Sequence, residues 1–313
     1  VNTFFPLFHT FFSEMGMNVI LSNGLDADGQ KRRRSSFCYP GELAHGFFGN
    51  LVKKNLDFLF IPKIMSLKVQ NSVNKKREHQ STCVLLQSEA YYIQSAFKDL
   101  LGDTPLITPV IDFWRGFEGA SHTFVEIAQK IGFAKKEALK AYKQAVVVQR
   151  SFKQKLKASG LSLLEDLEED PDKTAIVLFG RAYNSFAEEA NMGIPKKFAS
   201  RGITVIPWDG LPFDNEPCEG DMCWAIGQEL LKASSFVKKH PQLFGAFVTN
   251  FSCGPDSFLL GSFRDIMRSK PSLTLELDSH TADAGVNTRI EAFLDIIRGF
   301  KELKHRDKKE IDF

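Results

Sequence analysis

The chain has 313 residues, with 40 basic and 38 acidic side chains and a formal charge of +2, a balance that gives no electrostatic reason to expect nucleic acid or an anionic membrane as partner. Its length suggests two domains of roughly 150 residues each. No uninterrupted apolar run approaches the roughly 20 residues of a membrane-spanning helix. Five cysteines, an odd number, do not compose a disulfide framework, so a reducing cytoplasm is expected. The opening VNTFFPLFHTFF has neither the charged start nor the small-residue cleavage site of a signal peptide. It also lacks a methionine, which suggests a domain taken from a longer polypeptide. Phenylalanine is abundant, at 29 residues, which suits a water-excluding site and core packing equally well.

HTFFSEMG reads as the end of a helix and MNVILS (17–22) as a strand. In GELAHGFFGNLVKKN (41–55), Leu43, Phe47 and Leu51 recur four apart beside Ala44, Phe48 and Val52, the pattern of a helix with one apolar face. Residues 57–62 follow as a buried strand, 84–100 as helix and 104–111 as extended chain. Ser121 is placed to cap a helix, and a longer one is expected from about 134 to Gly160 before the charged LEDLEEDPDK. Alternation then resumes, with strands at 175–180, 203–209, 244–251 and 272–278. Helices are expected near 186–200, 223–238, 257–269 and 288–304. Strand–helix alternation of this kind predicts an α/β fold with mainly parallel sheets. The boundaries expected are an α/β domain at 1–118, a helical linker at 119–171 and a second α/β domain at 172–313.

Three of the five cysteines share one context: Cys38 in FCYPGELAHG, Cys83 in STCVLLQSEA and Cys253 in NFSCGPDSF each precede a predicted helix. Free amides and the dipole at a helix N-terminus favour a thiolate. Loops at the carboxyl ends of parallel strands are where ligands bind, so two domains facing each other could bring the three sulfurs together. Thiolates select zinc or iron–sulfur clusters. The close C-x-x-C pairing of structural zinc is missing, which favours a cluster held by distant loops. Inert, packed cysteines stand as the alternative. Cys218 and Cys223 form a C-x4-C pair that could add a fourth ligand, but Glu216, Glu219 and Asp221 beside them would repel an anionic cluster.

The motifs FCYPGELAHG, VLFGRAYN, GIPKKFASRGITVIPWD, TNFSCGPDSF and KPSLTLELDSHTADAGVNTRIEAFLDI are spread along nearly the whole chain. In these motifs the sequence resembles acyl-CoA dehydratase activase-related proteins of the 2-hydroxyglutaryl-CoA dehydratase D-component superfamily, which includes the double-cubane cluster proteins. The resemblance implies two Rossmann-like domains with an iron–sulfur cluster in the cleft between them. The cluster is a 4Fe–4S unit or part of a double cubane, bound through Cys38, Cys83 and Cys253. It implies an ATP-hydrolysing activase as partner, separate or fused in the same polypeptide, a dimer, and a small-molecule or acyl-CoA substrate. It also implies that the N-terminal domain lacks its first strand. The chain departs from the pattern in having Ala182 where relatives carry proline, and no proline after Cys83.

Glu42 and His45, three apart on the helix after Cys38, could relay protons or hydrogen-bond cluster sulfurs, against the plainer roles of capping carboxylate and interior histidine. Gln87 and Glu89 closely follow Cys83, and one of them could point into the cleft, against a plain structural role for both. Glu276, Asp278, His280 and Asp283 gather in ELDSHTADAG, as a divalent-metal site or as a loop brace and helix cap. Phe179-Gly180-Arg181 is not a G-x-G-x-x-G fingerprint, so nucleotide binding has weak support; Arg181 and Asn184 could face a substrate or partner. Lys31 to Arg34 read as a solvated turn or a dock for an acidic activase surface. The functional expectation is a cluster-bearing electron-transfer or reductase domain related to 2-hydroxyacyl-CoA dehydratases. Its rivals are a non-catalytic activase-docking module and a small-ligand-binding protein with structural cysteines.

Overall fold

The computed structural model describes residues 2–35, 38–72, 76–218 and 222–311. The chain divides into two units, residues 1–156 with 220–228, and residues 157–219 with 229–313.

In the first unit the helices α1 (Phe5–Ser13), α2 (Ala27–Lys31) and α3 (Tyr39–Val52) precede strands β1 (Leu59–Phe60) and β2 (Lys63–Leu67). Helix α4 (Val84–Ala96), strands β3 (Leu106–Ile107) and β4 (Val110–Phe113), and helix α5 (Ser121–Lys130) follow. The strands pair in parallel, β1 with β3 and β2 with β4. The buried strand expected at 57–62 is shorter than that because Pro62 and Pro109 lack the N–H a ladder needs. Hydrogen bonds from Ile61 N–H to the Ile107 carbonyl and from Lys63 N–H to the Pro109 carbonyl carry the pairing across the gap.

MNVILS forms no strand. Met17 and Val19 pack on the aromatic core, while Ile20 and Leu21 are exposed, and a strand without a paired neighbour leaves its backbone unsatisfied. The phenylalanines form much of that core. Phe11 meets Phe124 edge-on at 4.9 Å, and Phe124 lies 4.2 Å from Tyr142, whose hydroxyl donates to the Phe117 carbonyl. Tyr142 belongs to α6 (Lys135–Glu168), a helix that extends past the expected end at Gly160 and contributes to both units. Gly160 is tolerated inside it because the chain passes so close: a Cβ there would lie 2.1 Å from the Gly210 carbonyl oxygen.

The second unit holds β5 (Ala175–Phe179), the short helices α7 (Ala182–Ser185), α8 (Glu188–Asn191) and α9 (Ile194–Ala199), and β6 (Thr204–Pro207). Then come α10 (Ala225–Lys239), whose first residues belong to the first unit, β7 (Leu243–Asn250), α11 (Gly254–Met267), β8 (Ser272–Leu277) and α12 (Asp283–Ile311). The single helix expected at 186–200 is broken because Met192 and Gly193 both take left-handed backbone, at φ 52° and 70°.

Four parallel strands lie in the order β6-β5-β7-β8, with β5 and β7 buried along their full length. Helices α9 and α12 cover one face through Ile194, Phe198, Ile290 and Phe293; Phe263 of α11 packs on Phe179 and Phe247. This is a doubly wound parallel sheet, consistent with a Rossmann-like fold.

Lys270, between α11 and β8, is buried and ties two elements by donating to the carbonyls of Val237 and His240 at the end of α10. Burial, then the nearby charge of Lys238, lowers its pKa from the usual lysine range to about 7. The unfolded chain therefore binds more protons than the native one between about pH 7 and the ordinary lysine value of about 10.4. Stability from this group is full above that window and lost as pH falls through it. Urea titrations of the full chain should show Lys270→Met flattening the rise in stability between about pH 7 and 10. An unchanged slope would mean that Lys270 is not the group responsible.

Candidate functional site

Each of Cys38, Cys83 and Cys253 is the residue immediately before a helix, capping α3, α4 and α11 respectively, and none of the three side chains makes a capping hydrogen bond to its own helix. The five cysteines form no disulfide. Cys38 and Cys83 belong to the first unit and Cys253 to the second. Among the described residues, no group of three or more His, Cys, Asp or Glu side chains is gathered closely enough to hold a metal ion.

In the first unit Cys38 opens on a cavity of about 160 Å³ between the Lys31–Ser35 turn, α3 and α4. Arg32, Arg33 and Arg34 line it, as do Glu42 and His45 one turn into α3, and α4 supplies Leu85 and Tyr92. The chain thus brings Cys38, both proton-relay candidates and the arginine run to one place. Glu42 pairs with Arg33 at 3.1 Å, and Arg32 forks onto both carboxylate oxygens of Asp99 at 2.6 and 2.9 Å. The His45 ring stacks on Tyr92 with centroids 5.4 Å apart, and its Nδ1 lies 2.7 Å from the Gly41 carbonyl. A carbonyl only accepts, so Nδ1 carries the proton and Nε2 is left for exchange. A Cβ at Gly41 would lie 3.7 Å from both Cys38 Sγ and the Tyr92 hydroxyl, so these two groups flank the first turn of α3.

The Cys83 turn is held to β2 by three hydrogen-bonding groups. Thr82 N–H donates to the Met65 carbonyl, Thr82 Oγ1 to that of Ile64, and Gln87 Nε2 to those of Met65 and Thr82. Gln87 is a brace. Glu89 is half-buried, and desolvation holds its carboxyl above the usual range. The same turn has a neighbour that the sequence did not suggest. Ser81 N–H donates to the Cys223 carbonyl and Ala225 N–H to the Ser81 carbonyl, so Cys223 is carried alongside the Cys83 loop. Cys218 is buried in the second unit; Glu219 and Asp221, expected to repel a cluster there, lie outside the described residues.

In the second unit Cys253 follows β7 at the point where the strand order reverses, since β6 and β7 flank β5 on opposite sides. Crevices at such switch points are the usual ligand sites of open parallel sheets. Gly180 ends β5 at φ 130°, and a Cβ there would meet the Val248 carbonyl oxygen at 2.4 Å, so only glycine lets the two strand ends approach this closely. The next residue, Arg181, donates through Nη2 to Cys253 Sγ and pairs with Asp256 Oδ2 at 2.9 Å; Thr249 Oγ1 donates to the same carboxylate oxygen. Both partners of this ion pair are buried. Asn184 is fully buried, and neither of its amide atoms has a hydrogen-bond partner among the described residues; Asn250 Oδ1 and Asp256 Oδ1 are in the same position.

The field expected to favour a Cys253 thiolate is outweighed. Burial pushes the thiol up to about 11, the Arg181 charge pulls it down, and Asp256 opposes that pull. A soft cation would have to displace the thiol proton.

The ELDSHTADAG turn takes the plainer of its two readings. Asp278 accepts from His280 N–H and Thr281 Oγ1, Asp283 pairs with Lys197, and α12 begins at Asp283. Arg181 and Asn184 were visible in the sequence as polar residues after a strand. Asp256 and Thr249 were not, and the one available signal was an acidic residue in the first turn after Cys253.

Two helix-capping thiols in the first unit, one in the second, and a guanidinium on the last are what the residues themselves provide. No curated protein and no solved structure matches the chain. The profile of the CoA enzyme activase uncharacterised domain (DUF2229) does match, over residues 1–211, and with more than half of its length covered the chain belongs to that family.

Proposed function

We propose that this activase-related chain is an iron–sulfur electron-transfer domain, a relative of the 2-hydroxyacyl-CoA dehydratase and double-cubane proteins. Its ligands are Cys38, Cys83 and Cys253, and an ATP-hydrolysing activase is its electron donor. The observation that carries the reading is the shared position of these three thiols, each the capping residue of a helix. The donor set fits: soft sulfur ligands beside helix N-termini suit an iron–sulfur cluster. When bound, the cluster supplies a site for one low-potential electron.

The remaining roles belong to the chain's own side chains. Arg181 sets a positive charge on the Cys253 sulfur, and Asp256 with Thr249 fixes its guanidinium. Gln87 and Thr82 fix the Cys83 turn on β2. His45, anchored through Nδ1, can exchange a proton at Nε2 in the cavity beside Cys38, with Glu42 one turn away on Arg33. A small molecule or an acyl-CoA is the substrate class proposed.

A docking module with structural cysteines is the second reading. ATP-dependent reduction separates the two. The anaerobically reconstituted chain should hydrolyse no ATP alone, and should show bleaching of its visible absorbance when activase and ATP are added. Robust ATP hydrolysis by the chain, or no bleaching with active activase, would overturn the proposed division of labour.

A further inference from the structure

We propose that the cavity at the start of α3 is a binding site for a compact oxyacid anion, a carboxylate or phosphate, with Arg34 as its principal contact. The proposal rests on the first unit alone and does not require a cluster.

Charge is the first argument. Three guanidiniums line the cavity against one carboxylate, Glu42. Arg32 is matched by Asp99 and Arg33 by Glu42, while Arg34 is exposed and pairs with no carboxylate among the described residues. The site therefore keeps a surplus positive charge, carried on a planar fork suited to carboxylate and phosphate oxygens. The positive end of α3, a helix of 14 residues, opens on the same space through Gly41.

A second, independent observation points to a ligand. His45 is 7% exposed, its Nδ1 is taken by the Gly41 carbonyl, and its Nε2 has no partner among the described residues. A histidine buried to that degree at a cavity wall leaves Nε2 as a hydrogen-bonding atom for whatever enters.

Size decides the class. At about 160 Å³ the cavity is smaller than the roughly 300–1,000 Å³ of pockets that bury drug-sized ligands. A small acid suits a cavity of this volume.

The test is calorimetric titration of the full, reduced, metal-free chain at low salt, with inorganic phosphate and with succinate in separate runs. At least one should bind saturably with one site per chain, and adenosine diphosphate should bind no tighter than phosphate. Arg34→Gln should weaken binding at least tenfold, with Arg34→Lys intermediate. Arg150→Gln, which removes an arginine paired with Glu118 elsewhere in the unit, should leave binding unchanged. Circular dichroism checks that each variant is folded; Arg34 is exposed, so its loss should not unfold the chain. The proposal is overturned if neither anion binds, if Arg34→Gln binds as tightly as the parent, or if Arg150→Gln weakens binding equally.

Discussion

Cys253→Ser should abolish retention of iron and sulfide after anaerobic reconstitution while leaving the far-ultraviolet circular dichroism unchanged. Serine has nearly the size of cysteine, so the turn after β7 and the start of α11 lose little packing. Chemically the change is large, because a hard, poorly ionised hydroxyl replaces a soft ligand. Gly254 and Pro255 stay in place, and Pro255 sits in the first turn of α11, where a missing N–H costs nothing. Cys218→Ser is the internal control, since Cys218 caps no helix and lies outside the proposed ligand set. Full iron and sulfide in Cys253→Ser would make Cys253 a packing residue.

The second large effect is on stability. Arg181 and Asp256 form a buried ion pair, with side chains 9% and 2% exposed. Removing one partner leaves the other charge uncompensated in a poorly polarisable interior, which typically costs about 3–5 kcal/mol. Arg181→Met should therefore lower the urea midpoint strongly. The double variant Arg181→Met/Asp256→Asn should recover much of the loss, because no orphan charge remains and Thr249 can still bond the amide. A loss below about 1 kcal/mol in Arg181→Met would show that water already reaches the pair. Arg181→Lys keeps the charge but not the fork, and should fall between the two.

Local chemistry made some of this readable in the sequence. Cys38-Tyr-Pro-Gly and Cys253-Gly-Pro-Asp combine a cysteine with helix-start residues, and both cysteines are helix caps. Strands β5 and β7 were legible because strands buried on both faces are continuous apolar runs. What escaped depended on partners distant in sequence. β2 was not anticipated because Lys63 and Ser66 interrupt its apolar pattern. Lys63 is buried against Tyr91, with Nζ 3.0 Å from its hydroxyl, and Ser66 donates to Asp112. Residues 17–22 have the apolar pattern of a strand but no neighbour to pair with. The Arg181–Asp256–Thr249 group joins two strand ends, and the Ser81–Cys223 pairing joins two distant loops. Neither leaves a local trace, because nothing in the spacing of such residues records which strand ends will be neighbours.

The proposed function has three helix-capping thiols hold an iron–sulfur cluster. Its most direct test is the iron and acid-labile sulfide content of the anaerobically purified chain, with an electron paramagnetic resonance spectrum after dithionite reduction. Iron and sulfide are expected in equal amounts, with a broad visible absorbance and a resonance that appears on reduction. All three should be missing when Cys38, Cys83 and Cys253 are replaced together by serine in a chain that still folds. Reconstituted protein that contains no iron, or that keeps iron and sulfide in the triple variant, would contradict it.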